Sequence, residues 1–294
     1  MNKPVKLEAM RAAGRSWRVE AADGTGLFYR DWSPAPGVAA SGLVAASPLV
    51  FCAGWGLPSD SWGSVMSGLT GEGRRCIAYD RRGCGRSDDP GCGYDLDTLA
   101  DDLAAVLEAL DLTDVVLVGH SMAGAEITRY LSRHGSSRVA RVVLVAPVTP
   151  CLGRRDDNPG GVDPASFAAV RAAVARDFTG WMDAAGQGFV LPGTAEGTMA
   201  WIKAMMARGS VQALVETNRA WTGLDLRAEV AAIDRPTLVL AGDNDLSTPL
   251  PLTGEPTARL IPNARLKVYP GGPHGLMFTH VAELQADIGA FAAV

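Results

Sequence analysis

The chain has 294 residues, of which 47% are hydrophobic and 20% are charged, and its formal net charge is −5. This length and hydrophobicity predict one large folded core and exclude an intrinsically disordered chain. Asp and Glu total 32 against 27 Lys and Arg, so the composition argues against a nucleic-acid partner. The five cysteines show no C-x-x-C spacing, which argues against a disulfide framework and a zinc site.

The N-terminal segment and the hydropathy pattern give an expectation for the cellular location of the protein. Lys6, Glu8, Arg11 and Arg15 interrupt the start of the chain, so we expect no signal peptide. No run of about 18 apolar residues is present, so we expect no membrane span. These patterns predict a cytoplasmic protein that has no membrane partner, and they leave open whether it forms a homo-oligomer.

Short apolar, β-branched segments alternate with helical patterns along most of the chain. This alternation predicts parallel strands joined by crossover helices. Ahead of them, the turn at Asp23–Gly26 predicts an antiparallel hairpin. The strand segments, in chain order, are SWRVEA, LFYRDW, PLVFCAG, RRCIAYD, DVVLVGH, RVVLVAP, PTLVLAGD and ARLKVYP. We therefore expect an α/β fold with a mostly parallel, eight-stranded sheet flanked by helices.

Residues 148–235 interrupt this alternation with helical patterns, Pro and Gly breaks and no clear strand. The segment is too long for an ordinary crossover connection. It predicts a helical cap inserted into a core that is formed by residues 1–147 and 236–294. Residues 34–47, rich in small residues, predict a surface loop.

The predicted cap contains a cluster of large aromatic and flexible side chains. Such side chains over a cleft are typical of an apolar substrate pocket, although each could serve only in packing. The cluster also includes Met199 and Met206. The candidates that we select for substrate binding are Trp181, Met182, Trp201, Met205 and Trp221.

A sharp turn between a predicted strand and a predicted helix carries a candidate nucleophile. The strand DVVLVGH continues into Gly119-His120-Ser121-Met122-Ala123, and a helical pattern follows. Small residues two positions before and after a serine allow the tight, strained turn that exposes its hydroxyl. Ser121 is therefore predicted to be a nucleophile that lies at the N-terminus of a helix.

A serine hydroxyl needs a base within hydrogen-bond reach, and the chain offers four histidines. His120 neighbours Ser121 and is expected to point away from it. His134 closes a predicted helix, and His280 begins another. His274 lies in a Gly/Pro-rich loop after the last strand, at the carboxyl edge of the sheet, and is therefore the predicted base.

The base needs a carboxylate, and the loop after PTLVLAG supplies both Asp243 and Asp245. Spacing alone does not choose between them. The chain order Ser, Asp, His is typical of the α/β-hydrolase fold rather than of chymotrypsin or subtilisin. Two backbone N–H groups are expected to form the oxyanion hole, those of Met122 and of Trp55 in the loop after PLVFCAG. The Trp55 indole is also a candidate wall of the substrate pocket.

The segments AYDRRGCGRSD, VLVGHSMAGAEITRYL, LAGDNDLSTP and GGPHGLMFTH resemble the α/β-hydrolase superfamily, most closely its branch of cofactor-free haloperoxidases (perhydrolases) and aryl esterases. The resemblance covers the first 150 and the last 60 residues. It implies Ser121 as nucleophile, His274 as base, Asp245 as acid, and Trp55 and Met122 as oxyanion donors.

Three departures from the family pattern stand out. Ala53 replaces the histidine of the usual His-Gly-aromatic motif, and Ala123 replaces a glycine of the serine turn. Gly56 stands where members that favour perhydrolysis carry a proline, and Pro58 follows two positions later.

We therefore expect a serine hydrolase that cleaves carboxylic esters of small to medium apolar substrates through an acyl-enzyme, without a metal or an organic cofactor. Lactone hydrolysis, carbon–carbon bond hydrolysis and perhydrolysis with incidental halide oxidation use the same side chains and remain alternatives. A small-molecule receptor on the same fold is the non-enzymatic alternative.

Overall fold

The computed structural model describes residues 17–35 and 47–293. The N-terminal segment, in which no signal peptide is predicted, and most of the predicted loop 34–47 lie outside the described residues. Apart from Ser16, the predicted strand segments lie within the described ranges, so each predicted strand can be compared with the structure.

The described residues form one eight-stranded sheet with the order β1-β2-β4-β3-β5-β6-β7-β8. The first two strands are an antiparallel hairpin, β2 pairs antiparallel with β4, and all the other pairs are parallel. The strands are β1 Arg18–Glu20, β2 Gly26–Trp32, β3 Leu49–Cys52, β4 Cys76–Tyr79, β5 Val115–His120, β6 Val139–Val145, β7 Thr237–Gly242 and β8 Ala264–Tyr269. The predicted fold class is thereby confirmed.

Helices cover both faces of this sheet, which is why β3, β4, β5 and β7 are buried along their whole length. The α-helices are α1 Gly63–Gly71, α2 Leu96–Ala109, α3 Met122–His134, α4 Pro164–Arg176, α5 Phe178–Ala185, α6 Glu196–Met206, α7 Val211–Thr222, α8 Arg227–Ala231, α9 Gly254–Leu260, α10 Leu276–Thr279 and α11 Val281–Phe291. The described residues also form 3-10 turns at Ser59–Trp62 and Gly186–Gly188.

Two apolar clusters, one on each face, hold the sheet and helices together. Leu103 of α2 and Ile127 of α3 pack in the first cluster with Leu117 of β5. Leu69 of α1 and Leu284 of α11 pack in the second with Val118 of the same strand. Successive residues of β5 therefore enter opposite cores, as the period of two in a strand requires.

Helices α4 to α8 lie between β6 and β7, in the segment predicted to be the cap. Helices α4 and α7 pack against each other. The short helix α8 instead packs on α3 and α9, and its Val230 belongs to the first core cluster. The last helix of the predicted cap segment thus packs as part of the core. Among the described residues, no helix has both the length and the apolar character needed to cross a bilayer.

Candidate active site

Ser121 lies in the turn between β5 and α3 with a strained backbone, φ 55° and ψ −119°. Two hydrogen bonds hold the turn, from the Ser121 N–H to the Val145 carbonyl (2.9 Å) and from the Gly124 N–H to the Ser121 carbonyl (2.9 Å). A Cβ at Gly119 would lie 2.6 Å from Ile127 Cδ1 and 3.1 Å from the Ala123 carbonyl. The need for a small residue before Ser121 is therefore steric.

His274 and Asp245 complete a line of hydrogen bonds that starts at Ser121. The distance from His274 Nε2 to Ser121 Oγ is 2.9 Å, and the distance from His274 Nδ1 to Asp245 Oδ2 is 2.7 Å. The three side chains come from the loops after β8, β5 and β7, which meet at the carboxyl edge of the sheet. All three residues are buried, so little water competes for these hydrogen bonds.

Asp245 is held in its ionised form by its surroundings. Its Oδ1 accepts the Ser247 and Thr248 N–H groups, both at 2.8 Å, and its Oδ2 accepts the Thr248 hydroxyl at 2.7 Å. Burial opposes ionisation, but the electrostatic influence of the neighbouring His274 and the hydrogen bonds from His274 and Thr248 lower the pKa of Asp245 below its usual value. Thr248 was not predicted from the sequence, although an Asp-x-x-Thr spacing is typical of such a turn.

The structure separates the two candidate aspartates. Asp243 Oδ1 accepts the Gly271 N–H at 2.6 Å and so ties the loop after β7 to the loop after β8. Asp245 is the residue that reaches His274. Asp243 therefore supports the loop that carries the histidine, and Asp245 contacts the histidine itself.

His120 is buried beside the line of hydrogen bonds without belonging to it. Its Nε2 lies 3.1 Å from the backbone carbonyl of His274, and the centroids of the two rings are 4.7 Å apart. Burial and the neighbouring His274 lower the pKa of His120 well below its usual value. A neutral ring that donates from Nε2 leaves Nδ1 without a partner among the described residues. His120 therefore helps to hold the loop of His274.

The loop after β3 lies directly against Ser121. A Cβ at Gly54 would lie 2.5 Å from His120 Nδ1 and 3.3 Å from Ser121 Cβ, so the backbone approaches as closely as a glycine allows. A turn closes there with the Leu57 N–H on the Gly54 carbonyl (3.2 Å) and a positive φ of 71° at Gly56.

Both predicted oxyanion donors lie beside this contact. The Trp55 N–H is in the turn and has no protein acceptor among the described residues. Met122 is the first residue of α3, and the N–H groups of a first helical turn have no partner within the helix. Two backbone donors next to a buried serine hydroxyl are what an oxyanion hole requires.

A cavity of ≈ 230 Å³ lies between this edge of the sheet and helices α4 to α7. Four of the six predicted substrate-binding side chains line it: Trp55, Trp181, Met182 and Trp221. The Trp55 indole N–H donates to the Leu214 carbonyl at 2.8 Å, and its ring meets that of Trp181 edge to face at 5.2 Å. Further lining side chains not selected from the sequence include Phe167, Phe189, Met199, Ile202, Met206 and Asn218.

The prediction for Trp201 and Met205 is corrected, because neither residue is among the described residues that line the cavity. Trp201 is 41% exposed and packs edge to face on Phe278. Met205 is buried in a small cluster with Val190. The helical period explains the difference. Residues three to four positions apart share one side of a helix, and the side of α6 that faces the cavity carries Met199, Ile202 and Met206 but neither Trp201 nor Met205.

Polar groups on the cavity wall are few. Ser121 and His274 lie on the side of the sheet, together with Thr248. Among the described residues, Lys203 is the one Lys, Arg, Asp or Glu side chain on the wall, and its Nζ pairs with Asp183 at 2.6 Å. In the described ranges, no three His, Cys, Asp or Glu side chains cluster as metal ligands would.

Comparison with known proteins gives consistent matches over nearly the whole chain. A family model described as alpha/beta hydrolase fold matches residues 47–281. A non-heme haloperoxidase of Rhodococcus erythropolis is 40% identical over 280 residues, 93% of this chain and 98% of the relative. A bifunctional esterase/perhydrolase of Acinetobacter calcoaceticus is 33% identical over 277 residues, 92% of this chain and 96% of the relative. A solved esterase of Exiguobacterium antarcticum has a TM-score of 0.88 and 26% identity, over 95% of this chain and 100% of its own.

The family match runs from β3 to beyond β8 and includes the loops of Ser121, Asp245 and His274. The relatives extend the likeness to more than nine tenths of the chain. The resemblance predicted from the motifs is confirmed: the chain belongs to the α/β-hydrolase family, in its haloperoxidase and esterase branch.

Proposed function

We propose that the protein is a serine hydrolase that cleaves carboxylic esters through an acyl-enzyme. The observation that carries this proposal is the hydrogen-bonded line from Ser121 Oγ through His274 to Asp245, with distances of 2.9 and 2.7 Å. Nucleophile, base and orienting carboxylate stand in the order that activates a serine hydroxyl at neutral pH. The esterases among the similar proteins support the same reaction.

In the proposed mechanism, Ser121 Oγ attacks the ester carbonyl while His274 Nε2 takes its proton. Asp245 holds Nδ1 and stabilises the imidazolium that forms. The negative charge that develops on the carbonyl oxygen is stabilised by the N–H groups of Trp55 and Met122. His274 then protonates the leaving alcohol. Water, deprotonated by the same nitrogen, releases the acid and restores Ser121.

The cavity wall favours small to medium apolar substrates. Helices α4 to α7 present aromatic, Met and Ile side chains, and such surfaces gain free energy mainly by burying apolar groups. Trp55 contributes to both parts of the site, because its N–H is a proposed oxyanion donor and its ring lines the cavity.

Substitution of Ser121 tests the proposal. We expect Ser121→Ala to lower kcat for a p-nitrophenyl ester by about a million-fold, because members of a triad act as a unit. A fluorophosphonate should add one label to the wild-type protein, at Ser121, and none to this variant. Ser61→Ala, which removes a buried hydroxyl that does not line the cavity, serves as the matched control and should retain activity. An undiminished rate in Ser121→Ala would overturn the proposal.

Perhydrolysis is a second candidate, because relatives with 40% and 33% identity are a haloperoxidase and an esterase/perhydrolase. In this reaction hydrogen peroxide replaces water, so a carboxylic acid and hydrogen peroxide yield a peracid and water. Peracid formation from acetate, compared with ester hydrolysis at equal enzyme concentration, measures the share of each. A panel of lactones beside acyclic esters tests lactonase activity. Repeated turnover on any of these substrates would exclude a receptor that only binds its ligand.

A further inference from the structure

A buried arginine lies behind the loop that carries the proposed oxyanion donor. Arg81 follows β4, is 4% exposed and does not line the cavity defined by the described residues. We propose that Arg81 is a positioning residue that turns the Trp55 N–H toward the reacting oxygen. The inference rests on the proposed function, because it assigns a role in stabilising the oxyanion of that reaction.

The guanidinium of Arg81 donates to two successive carbonyls of the loop after β3. The distance from Nη2 to the Ala53 oxygen is 2.8 Å, and the distance from Nη1 to the Gly54 oxygen is 3.4 Å. These acceptors are backbone atoms, so the contact does not depend on the side chain at position 53. Although position 53 is an alanine, Arg81 can therefore hold the loop through these two carbonyls.

The orientation of one peptide unit links this contact to catalysis. The Gly54 carbonyl and the Trp55 N–H belong to the same trans peptide, in which the two groups point in opposite directions. Arg81 and the Leu57 N–H both hold the carbonyl on one side. The Trp55 N–H is therefore turned to the other side of the peptide. A Cβ at Gly54 would lie 3.3 Å from Ser121 Cβ, so this peptide unit lies close to the proposed nucleophile.

A second contact of Arg81 reaches the helix that carries the other donor. Its Nε and Nη2 donate to Glu126 Oε2 at 2.9 and 2.6 Å. The Tyr79 hydroxyl donates a hydrogen bond to Glu126 Oε1. Glu126 is fully buried in α3, which begins at Met122. One buried ion pair thus connects the loop of the Trp55 donor to the helix of the Met122 donor, and it fixes their separation.

The matched control is the adjacent Arg82, which is 1% exposed and likewise pairs with a buried carboxylate, that of Asp102. Its Nε and Nη2 donate to Asp102 at 2.7 and 2.6 Å, and Nη1 donates to Asp23. Among the described residues, Arg82 makes no hydrogen bond to the loop after β3. Arg82→Lys therefore removes a buried fork-shaped contact of the same kind, without touching the proposed donor.

The experiment compares an ester with its thionoester, in which sulfur replaces the carbonyl oxygen. Sulfur is larger and a weaker hydrogen-bond acceptor, so the thionoester gains little from oxyanion donors. The ratio of the two rates therefore reports on the donors rather than on folding. For Arg81→Lys we expect kcat for the ester to fall at least about tenfold with KM nearly unchanged, since loss of a whole donor costs about 100- to 1000-fold. The thionoester rate should change less than about threefold, and the ratio should fall accordingly.

Glu126→Gln is the second variant, because it weakens the anchor of Arg81 while leaving the guanidinium in place. It should lower the same ratio by a smaller factor, and it keeps the test available if Arg81→Lys does not fold. Arg82→Lys should lower the melting temperature and leave the ratio unchanged. If the ester-to-thionoester rate ratio stays unchanged in the Arg81 and Glu126 variants, including by an equal fall of both rates, the inference is overturned.

The two proposals fail in different ways. If wild-type ester hydrolysis persists in Ser121→Ala, the proposed function is wrong. If hydrolysis depends on Ser121 and the ester-to-thionoester ratio does not respond to Arg81, only the positioning role is wrong.

Discussion

The two walls of the cavity are built in different ways. On the side of the sheet, loops after β5, β7 and β8 present Ser121, Thr248 and His274, whose side chains are held by directional hydrogen bonds to one another and to Asp245. On the opposite side, helices α4 to α7 present side chains such as Phe167 and Met206, which make contacts without directional bonds.

This difference separates the reaction from the choice of substrate. Directional bonds at 2.7 to 2.9 Å hold reacting atoms within the small tolerance that nucleophilic attack requires. Apolar packing tolerates changes of shape and size, and methionine side chains adapt to different ligands. Substitutions on the side of the sheet should therefore change kcat steeply, whereas substitutions on the helical side should change which ester is preferred.

The largest expected effect in this comparison is that of Asp245→Asn. The amide keeps the shape of the carboxylate but no longer stabilises the imidazolium or the required tautomer of His274, so kcat should fall by about 10⁴-fold. The measurement is kcat for a p-nitrophenyl ester at fixed pH, with the melting temperature recorded beside it.

Asp243→Asn is the matched control for that substitution. The asparagine oxygen can still accept the Gly271 N–H, so kcat should stay within about twofold of the wild type. A large loss in Asp243→Asn together with a small loss in Asp245→Asn would reverse the assignment of the two aspartates.

A smaller effect is expected at Gly56, which lies in the turn after β3 and where the family resemblance of the sequence implies a proline. Its φ of 71° lies outside the range of a proline ring, which holds φ near −65°. Gly56→Pro should therefore destabilise the protein by more than about 1 kcal/mol and, by displacing the Trp55 N–H, lower kcat by about 100-fold. Urea unfolding and ester kinetics measure the two effects, and peracid formation should not rise.

Gly193 provides the matched control because it occupies the same place in a similar turn. The Thr194 N–H closes that turn on the Leu191 carbonyl at 3.1 Å, and the φ of Gly193 is 82°. Gly193→Pro should lower stability to a similar extent and leave kcat unchanged, because the turn is exposed and outside the cavity wall that the described residues form. A Gly56→Pro variant with normal kcat would show that the turn does not position a donor.

The sheet and the serine turn could be predicted because their signals are local. Strands buried on both faces appear in the sequence as short apolar runs, and the steric demand around Ser121 requires small neighbours such as Gly119. The side on which α8 packs could not be predicted in this way. Val230 joins the core only because the fold brings α8 against α3 and α9.

Residues that act across the fold gave no such signal. Arg81 and Gly54 are 27 positions apart and meet because β3 and β4 are neighbours in the sheet, so nothing near either residue indicates the contact. Asp243 and Asp245 are the same residue type and lie two positions apart in the loop after β7, so the sequence alone does not distinguish them. Their roles differ because the loop turns Asp245 toward His274 and Asp243 toward Gly271.

The smallest expected effect compares two adjacent methionines of α6. Met206 lines the cavity, whereas Met205 is not among the described lining residues and packs in the buried cluster with Val190 and Ile202. Met206→Ala enlarges the cavity, so the ratio of kcat/KM for a long acyl chain to that for acetate should rise at least about tenfold, the smallest effect expected for one methylene group in an apolar pocket. A series of p-nitrophenyl esters with increasing acyl length measures this ratio.

Met205→Ala should behave in the opposite way. Truncation of a buried methionine costs about 2 to 5 kcal/mol, so the melting temperature should fall clearly while the chain-length ratio stays within about twofold. If Met205→Ala changes the ratio and Met206→Ala does not, the helical side of the cavity has been assigned the wrong residues. If neither changes it, the acyl chain does not contact α6, and selection by chain length then belongs to α4, α5 or α7.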